Sequence, residues 1–104
     1  MAKKKKDKTL LGFSFVEVLG HKIRIIETED NNELLLGSNL TYGQFRPLDM
    51  EIIISTNQGI LSVNQTFYHE LLHAIDWIMH NEEYKYDEEV VNVLARGLAT
   101  VRMS

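Results

Sequence analysis

The chain contains no cysteine, a single proline and no long apolar run. The lack of cysteine excludes disulfide bonds and thiolate ligands for a metal, and it agrees with a reducing compartment. No stretch approaches the roughly 20 apolar residues that a membrane-spanning helix needs. The basic first residues are not followed by the apolar region of a signal peptide. We therefore expect a cytoplasmic protein that does not act at a membrane.

Charge is distributed unevenly along the 104 residues. Residues 1–8 contain five lysines and one aspartate, a charge of +4, so the remainder carries −8 of the total of −4. An acidic body argues against a nucleic-acid partner. We expect residues 1–8 to form a solvated, disordered tail. Residues 9–104 contain no linker rich in proline, serine or glycine, and we expect them to form one domain.

Patterns typical of β-strands fill the first half of the chain. Period-two alternation or a high content of β-branched residues predicts strands at 13–18, 22–27, 33–36 and 50–55. A turn at Gly20 and His21 would join the first two strands as a hairpin. Tyr42 and Gly43 begin a connection in which Pro47 disfavours a central strand, and we expect Gly43 to serve a turn.

Helical patterns fill the second half. Ser62 and Gln65 resemble a capping box, which predicts a helix from about Val63 to His80. Asp87 is a good N-cap for a second helix over 88–101. An apolar stripe predicts the buried face of that second helix, and it comprises Val90, Val91, Leu94, Leu98 and Val101. The order of elements predicts an α+β fold, a small and mostly antiparallel sheet of three or four strands with two helices on one face.

The first helix contains the sequence His69-Glu70-Leu71-Leu72-His73. Residues four apart project from the same face of a helix, so the imidazoles of His69 and His73 can reach one metal ion. Glu70 lies beside that pair, within reach of a water molecule at the metal. Two neutral imidazoles and a neighbouring general base are typical of a zinc hydrolase.

A hydrolytic zinc site usually takes three protein ligands and leaves the fourth position to water. His80 lies about 10 Å along the helix from His73, too far to share the ion. Asp76 either orients an imidazole through a hydrogen bond or is a solvated helix acid. Glu88 falls at the edge of the apolar stripe of the second helix and is the preferred third ligand. Glu89 points nearly opposite and is the alternative if that helix begins later.

The pattern of HExxH, a loop and a helix-borne glutamate resembles the gluzincin branch of the zinc metallopeptidases. The size is similar to that of the minigluzincins. Small phage and prophage metallopeptidases share a Tyr-Gly pair, an Ile-rich strand, the sequence His-Glu-Leu-Leu-His-Ala-Ile-Asp and a Glu-Glu helix, found here at 42–43, 51–55, 69–76 and 88–95. The resemblance covers roughly residues 40–102 and is specific for a zincin-like site rather than for a substrate.

The resemblance implies a role for each matching residue. His69, His73 and Glu88 would bind zinc, and Glu70 would be the general base and then the proton donor. The strand at 50–55 would border the cleft and accept an extended peptide by strand addition. The oxyanion-stabilising group cannot be mapped by motif, and we consider the nearby side chains of Tyr84, Tyr86 and His80.

The leading hypothesis from sequence is thus a zinc-dependent metallopeptidase with a peptide or protein substrate. The alternative is a zincin-fold binding or regulatory module that is catalytically silent or latent, encoded by a phage and active in the host cytoplasm. Retention of Glu70 argues against a purely structural metal, because such a site needs no base. The sequence does not indicate the oligomeric state.

Overall fold

Strands occupy the first half of the chain and two helices the second half. A computed structural model describes residues 10–29, 35–36, 39–40 and 42–101. The elements, in chain order, are β1 (Phe15–Val18), β2 (His21–Thr28), β3 (Leu35–Leu36), β4 (Asn39–Leu40), β5 (Gly43–Arg46), β6 (Glu51–Ser55), α1 (Ile60–Met79) and α2 (Glu88–Leu98). The basic segment that we predicted as a tail, residues 1–8, lies outside the described residues.

The main sheet has four strands in the order β1-β2-β6-β5. β1 and β2 are antiparallel, β2 and β6 are parallel, and β6 and β5 are antiparallel. β3 and β4 pair with each other as a separate two-stranded sheet. The predicted α+β class is confirmed, as is a small sheet in which most pairings are antiparallel.

A two-residue turn joins β1 to β2. Val18 pairs with His21, so Leu19 and Gly20 form the turn, one residue earlier than predicted. Both residues have positive φ, 51° and 85°. This conformation is typical of type I′ turns, whose twist matches that of the two strands. The predicted hairpin is confirmed.

β5 was not predicted from the sequence. We expected a connection after Tyr42, but Gly43 to Arg46 pairs with β6, with Phe45 opposite Ile52. Pro47 follows the last residue of the strand, so its missing N–H removes none of the hydrogen bonds between β5 and β6. The proline excludes a longer strand but not a strand that ends at Arg46. β5 lies at the edge of the sheet, and β6 lies in its interior.

The core lies between one face of the sheet and α1. It consists of Ile23, Ile25, Phe45, Ile52 and Ile54 from the strands and Val63, Phe67 and Ala74 from the helix. The alternation of strand side chains places the five strand residues on the same face, and the spacing of the helical residues places them on the opposing stripe. This packing fixes α1 against the sheet.

The bounds of the helices differ from those predicted. α1 begins at Ile60, after Gly59 in extended conformation, and no side chain caps it. Ser62 therefore lies inside the helix, and the predicted capping box is wrong. Asp87 does cap α2, since its carboxylate accepts a hydrogen bond from the Glu89 N–H. α2 ends at Leu98 rather than near Val101.

α2 packs against α1 and buries only a narrow face. Val91 and Ala95 are its buried residues. The other members of the predicted stripe are exposed, namely Val90, Leu94, Leu98 and Val101. The expectation that the whole stripe packs inward is therefore wrong. None of the helices in the described ranges is long and apolar enough to cross a membrane.

Candidate metal centre

Two histidines of α1 face α2. The Nε2 atoms of His69 and His73 lie 3.1 Å apart. Their rings meet edge to face with centroids 4.7 Å apart. Phe67 and Ala74 point into the core from the same helix, so packing on the sheet sets the rotation of α1 and turns the histidine face toward α2. The two imidazoles are therefore positioned by the core rather than by each other.

Glu88, the first residue of α2, reaches both histidines. Its Oε2 lies 2.9 Å from Nε2 of His69, and its Oε1 lies 3.2 Å from Nε2 of His73. Each of the three residues offers a ligand atom, and these atoms all lie within 4.8 Å of one another. The structure thus brings together the three predicted ligands. Glu89 is not in this group, and its N–H bonds to the cap residue Asp87 instead.

The three side chains fit a zinc ion in donor type and in spacing. Zn–N and Zn–O bonds of about 2.0–2.1 Å at tetrahedral angles place neighbouring ligand atoms about 3.3 Å apart. The two Nε2 atoms are 3.1 Å apart, and one Glu88 oxygen lies 2.9 Å from His69 while the other lies 3.2 Å from His73, all close to that value. The pKa of His73 lies below its usual value, mainly because the imidazole is partly buried. The Glu88 carboxylate raises this pKa, and the His69 imidazole lowers it. A lowered pKa favours the neutral imidazole that a metal requires.

Glu70 lies beside the ligands with its carboxyl group largely buried. Burial raises the pKa of Glu70 to about 7, although the backbone N–H of Phe45 lowers it, and the negative charge of Glu88 raises it further. The contact with Phe45 places the carboxyl group at the edge of the sheet, next to β5. A cation held by the three ligands would lower this pKa again, because positive charge favours the carboxylate.

An open cleft of about 1060 Å³ contains all four of these residues. β5 forms one wall, α1 the floor, and the start of α2 with its preceding loop the other wall. The residues lining it include Tyr42, Gly43, Gln44, Phe45, Thr66, His69, Glu70, His73, Tyr84, Tyr86, Glu88 and Asn92. Polar groups that converge in a cleft of this size are typical of a ligand or substrate site.

The three residues considered for oxyanion stabilisation differ in their position relative to the cleft. Tyr84 stands edge-on to the His73 ring, with centroids 5.8 Å apart, and lines the cleft. Burial raises the pKa of Tyr84, and the charges of Glu70 and Asp76 raise it further, so its hydroxyl remains a hydrogen-bond donor at neutral pH. Tyr86 also lines the cleft but packs against His80. His80 bonds to Asp76 and is not among the lining residues.

Asp76 bonds to an imidazole, but to that of His80 rather than to one of the two site histidines, and it is not the solvated helix acid of the alternative prediction. Its side chain is fully buried and bonds to none of the site histidines. Its carboxylate accepts hydrogen bonds from the N–H groups of Lys85 and Tyr86 at 2.8–2.9 Å and from Nδ1 of His80 at 2.7 Å. Burial would raise the pKa of Asp76, but these N–H groups outweigh it and hold the pKa below its usual value. Asp76 thus anchors the loop that carries Tyr84 and leads into α2.

Gly43 does not serve the turn that we predicted. It is the first residue of β5, and a Cβ built on it would lie 2.3 Å from Cγ2 of Thr66 and 3.3 Å from Cγ of Glu70. Only a glycine allows β5 and α1 to approach this closely. The Tyr42-Gly43 pair is visible in the sequence, but no local pattern shows that Glu70, 27 positions later on α1, packs against Gly43.

The predicted strand at 50–55 exists as β6, but the strand beside the cleft is β5, so the prediction that 50–55 borders the cleft is wrong. β6 is paired on both sides, by β2 and by β5, and cannot accept another strand. The backbone of Tyr42, just before β5, bonds to β6, and in an antiparallel pair every second residue after it does the same. The backbone groups of the residues between them, Gly43 and Phe45, therefore point away from β6 and toward the cleft. The error arose because the sequence did not reveal β5.

Comparisons with known proteins found no match to this chain. Neither a protein-family profile, nor a curated protein, nor a solved structure matches this chain. The argument for function therefore rests on the geometry of the cleft.

Proposed function

We propose that this protein is a zinc-dependent metallopeptidase of the zincin type, with His69, His73 and Glu88 as ligands and Glu70 as general base. One observation carries the proposal: three ligand atoms from two helices converge beside a largely buried carboxyl group in an open cleft. A structural site is closed by four protein ligands, whereas a catalytic site keeps an open position. Three ligands at the edge of a cleft fit the second description.

The chemistry that zinc supplies in such a site is Lewis acidity toward a carbonyl oxygen and a water molecule. Glu70 accepts a proton from the attacking water on its carboxylate and later donates that proton to the leaving amine. The N–H of Phe45 keeps this carboxylate oriented at the edge of β5. The protonated hydroxyl of Tyr84, beside His73, is the group that we assign to the oxyanion.

An extended peptide is the substrate that the cleft fits best. Gly43 and Phe45 present backbone hydrogen-bonding groups of an edge strand to the cleft, and strand addition is a common way of binding a peptide in extended form. The Phe45 N–H is shared with Glu70, so a peptide on β5 would lie with its backbone close to the base. The cytoplasmic location predicted from the lack of cysteine is part of the same proposal.

The test combines metal analysis with cleavage of a peptide library. We expect wild-type protein to bind about one zinc ion and to lose hydrolysis when a chelator removes it. Glu70→Gln should retain zinc and lose hydrolysis by at least about a hundredfold, since proton transfer by a positioned group contributes 10²–10⁴-fold. His73→Ala should lose the zinc itself.

His21→Ala is the matched control, because His21 is an exposed histidine on β2 outside the cleft. It should bind zinc and cleave peptides as wild type does. Full activity of Glu70→Gln would overturn the assigned base. Stoichiometric zinc without hydrolysis in wild type would favour the alternative, a latent or binding protein that keeps its metal.

A further inference from the structure

The outer face of α2 is apolar and is left uncovered by the part of the chain that the structure describes. Four of its side chains, and that of Val101 just beyond its end, are 38–60% exposed, and we call these five residues the α2 apolar face: Val90, Val93, Leu94, Leu98 and Val101. No described element of the chain packs over them. A helix of eleven residues that buries only two side chains gains little from its own domain, since helical stability in proteins comes mostly from packing.

The α2 apolar face continues onto the start of α1. Ile60 and Leu61 are 53% and 59% exposed and lie next to Val101 around a shallow groove of about 370 Å³. At these exposures the five residues of the α2 apolar face leave roughly 430 Å² of surface in solvent and the two α1 residues add roughly 210 Å², against about 800 Å² per partner in an interface of standard size. Contiguous apolar patches of this extent mark interaction sites on soluble domains.

We propose that the α2 apolar face binds the same face of a second copy of this chain, with the two α2 helices antiparallel across a two-fold axis near Val93. The proposal does not depend on the metal or on peptidase activity. A two-fold interface requires a surface that is complementary to itself. Charge and shape along α2 both meet that requirement.

Charge complementarity comes from two residues that flank the apolar face. Glu89 lies in the first turn of α2 and Arg96 in the last. They are seven residues apart and so lie on the same side of the helix. With the axis at Val93, Arg96 of each copy comes level with the first turn of the other, beside Glu89. An antiparallel pair thus forms two Glu89–Arg96 ion pairs, whereas a parallel two-fold pair would put the two residues at different levels and form none.

Shape complementarity comes from Gly97. Among the described residues, no atom lies within 4 Å of a Cβ built on it, so Gly97 leaves a shallow hollow in the outer surface of α2. In the antiparallel arrangement Val90 of the second copy lies within one residue of this hollow, about 1.5 Å along the helix axis. A valine over a glycine allows the two helices to approach closely.

The first experiment measures mass in solution by sedimentation velocity and light scattering. We expect wild type to be a dimer and Val93→Glu to be a monomer, because it places two carboxylates at the axis. Leu48→Glu is the matched control: Leu48 is 95% exposed and lies in the turn between β5 and β6, strands that pack on α1 rather than on α2, so this variant should remain a dimer. Circular dichroism would establish that each variant is folded.

A charge exchange tests the orientation. Arg96→Glu should raise the dissociation constant of the dimer at least about tenfold, because it replaces attraction with repulsion at two positions. The double variant Glu89→Arg with Arg96→Glu should restore most of that loss. Failure of the second change to restore the dimer would overturn the antiparallel arrangement.

Crosslinking tests the register, and the chain contains no cysteine that would interfere. At interaxial distances of about 8–10 Å, the two Val93 Cα atoms would come within the range of a disulfide, about 4.4–6.8 Å. Val93→Cys should therefore crosslink under mild oxidation, whereas Val101→Cys, eight residues from the axis and beyond the end of α2, should not. Equal crosslinking at both positions, or a monomeric wild type, would overturn the proposal.

Discussion

The two helices that form the site are held in place very differently. α1 carries His69, Glu70 and His73 and packs along the sheet through Val63, Phe67 and Ala74. α2 contributes only Glu88 to the ligands and buries two side chains. Its first turn is positioned by polar contacts, the anchor at Asp76 and the cap at Asp87. One half of the site thus depends on the core, and the other on a few hydrogen bonds.

This difference indicates where the site is weakest. A substitution that disturbs the α1 half also disturbs the core and so affects the whole fold. A substitution that disturbs the α2 half moves the candidate ligand Glu88 and leaves His69, His73 and Glu70 in place. A metal ion bound by both halves would stabilise the α2 half, because binding energy at such a site is also folding energy. Variants in the α2 half should therefore weaken metal binding while the two imidazoles and Glu70 stay in place.

The largest effect is expected at the anchor of the α2 half. Asp76→Asn should reduce the free energy of unfolding by about 3 kcal/mol, since the carboxylate accepts several bonds and an amide nitrogen cannot accept from the N–H groups of Lys85 and Tyr86. Zinc affinity should fall about tenfold as Glu88 loses its position. Denaturant unfolding and isothermal calorimetry with zinc would measure the two effects. His80→Ala removes one of the bonds and should have the smaller effect on both.

The same anchor has a dependence on pH. The pKa of Asp76 in the folded protein is below its usual value of 3.8. The stabilisation is therefore fully present above pH 3.8 and is lost as the pH falls through the lower folded value. Wild type should lose stability in that acidic range more steeply than Asp76→Asn, and parallel curves would contradict the role given to the carboxylate.

An intermediate effect is expected at the contact between the α1 half and β5. Gly43→Ala should cost about 1–3 kcal/mol, because its Cβ would overlap Cγ2 of Thr66. It should also displace Glu70 and reduce hydrolysis while zinc content stays unchanged. Adding Thr66→Ser removes the overlapping methyl group and retains the hydroxyl that bonds Gln58, so it should restore most of the stability. No recovery in the double variant would show that the close approach is not the cause.

The smallest effect is expected at the cap of α2. Asp87→Ala should cost about 1 kcal/mol, the usual value for loss of an N-cap acceptor. Because Glu88 follows the cap directly, zinc affinity should fall several-fold even though the core is untouched. Asp87→Ser keeps an acceptor and should behave nearly as wild type. If zinc affinity were the same in all three proteins, the cap would have no part in placing Glu88.

Local patterns were sufficient to predict the three residues that converge and insufficient to predict the strand beside them. HExxH places two imidazoles on one face by helix geometry alone, and the apolar periodicity of α2 singled out Glu88 over Glu89. β5 has only four residues and no clear alternation, so the edge of the sheet was assigned to β6. Gly43 and Asp76 were misread for a related reason: what each contacts lies in another element or across a loop.

The amino-acid order alone determined the type of each long element, the α+β class and the placing of His69, Glu70 and His73 on one helix, because these follow from periodicities within one helix or strand. Tertiary structure alone decided that Glu88 reaches both imidazoles, that Phe45 orients Glu70, that Asp76 holds the loop, and that most of the α2 stripe faces outward. Each of these contacts depends on how two elements pack. The distance between two packed elements is set by the volume of the side chains between them rather than by any repeat along the chain.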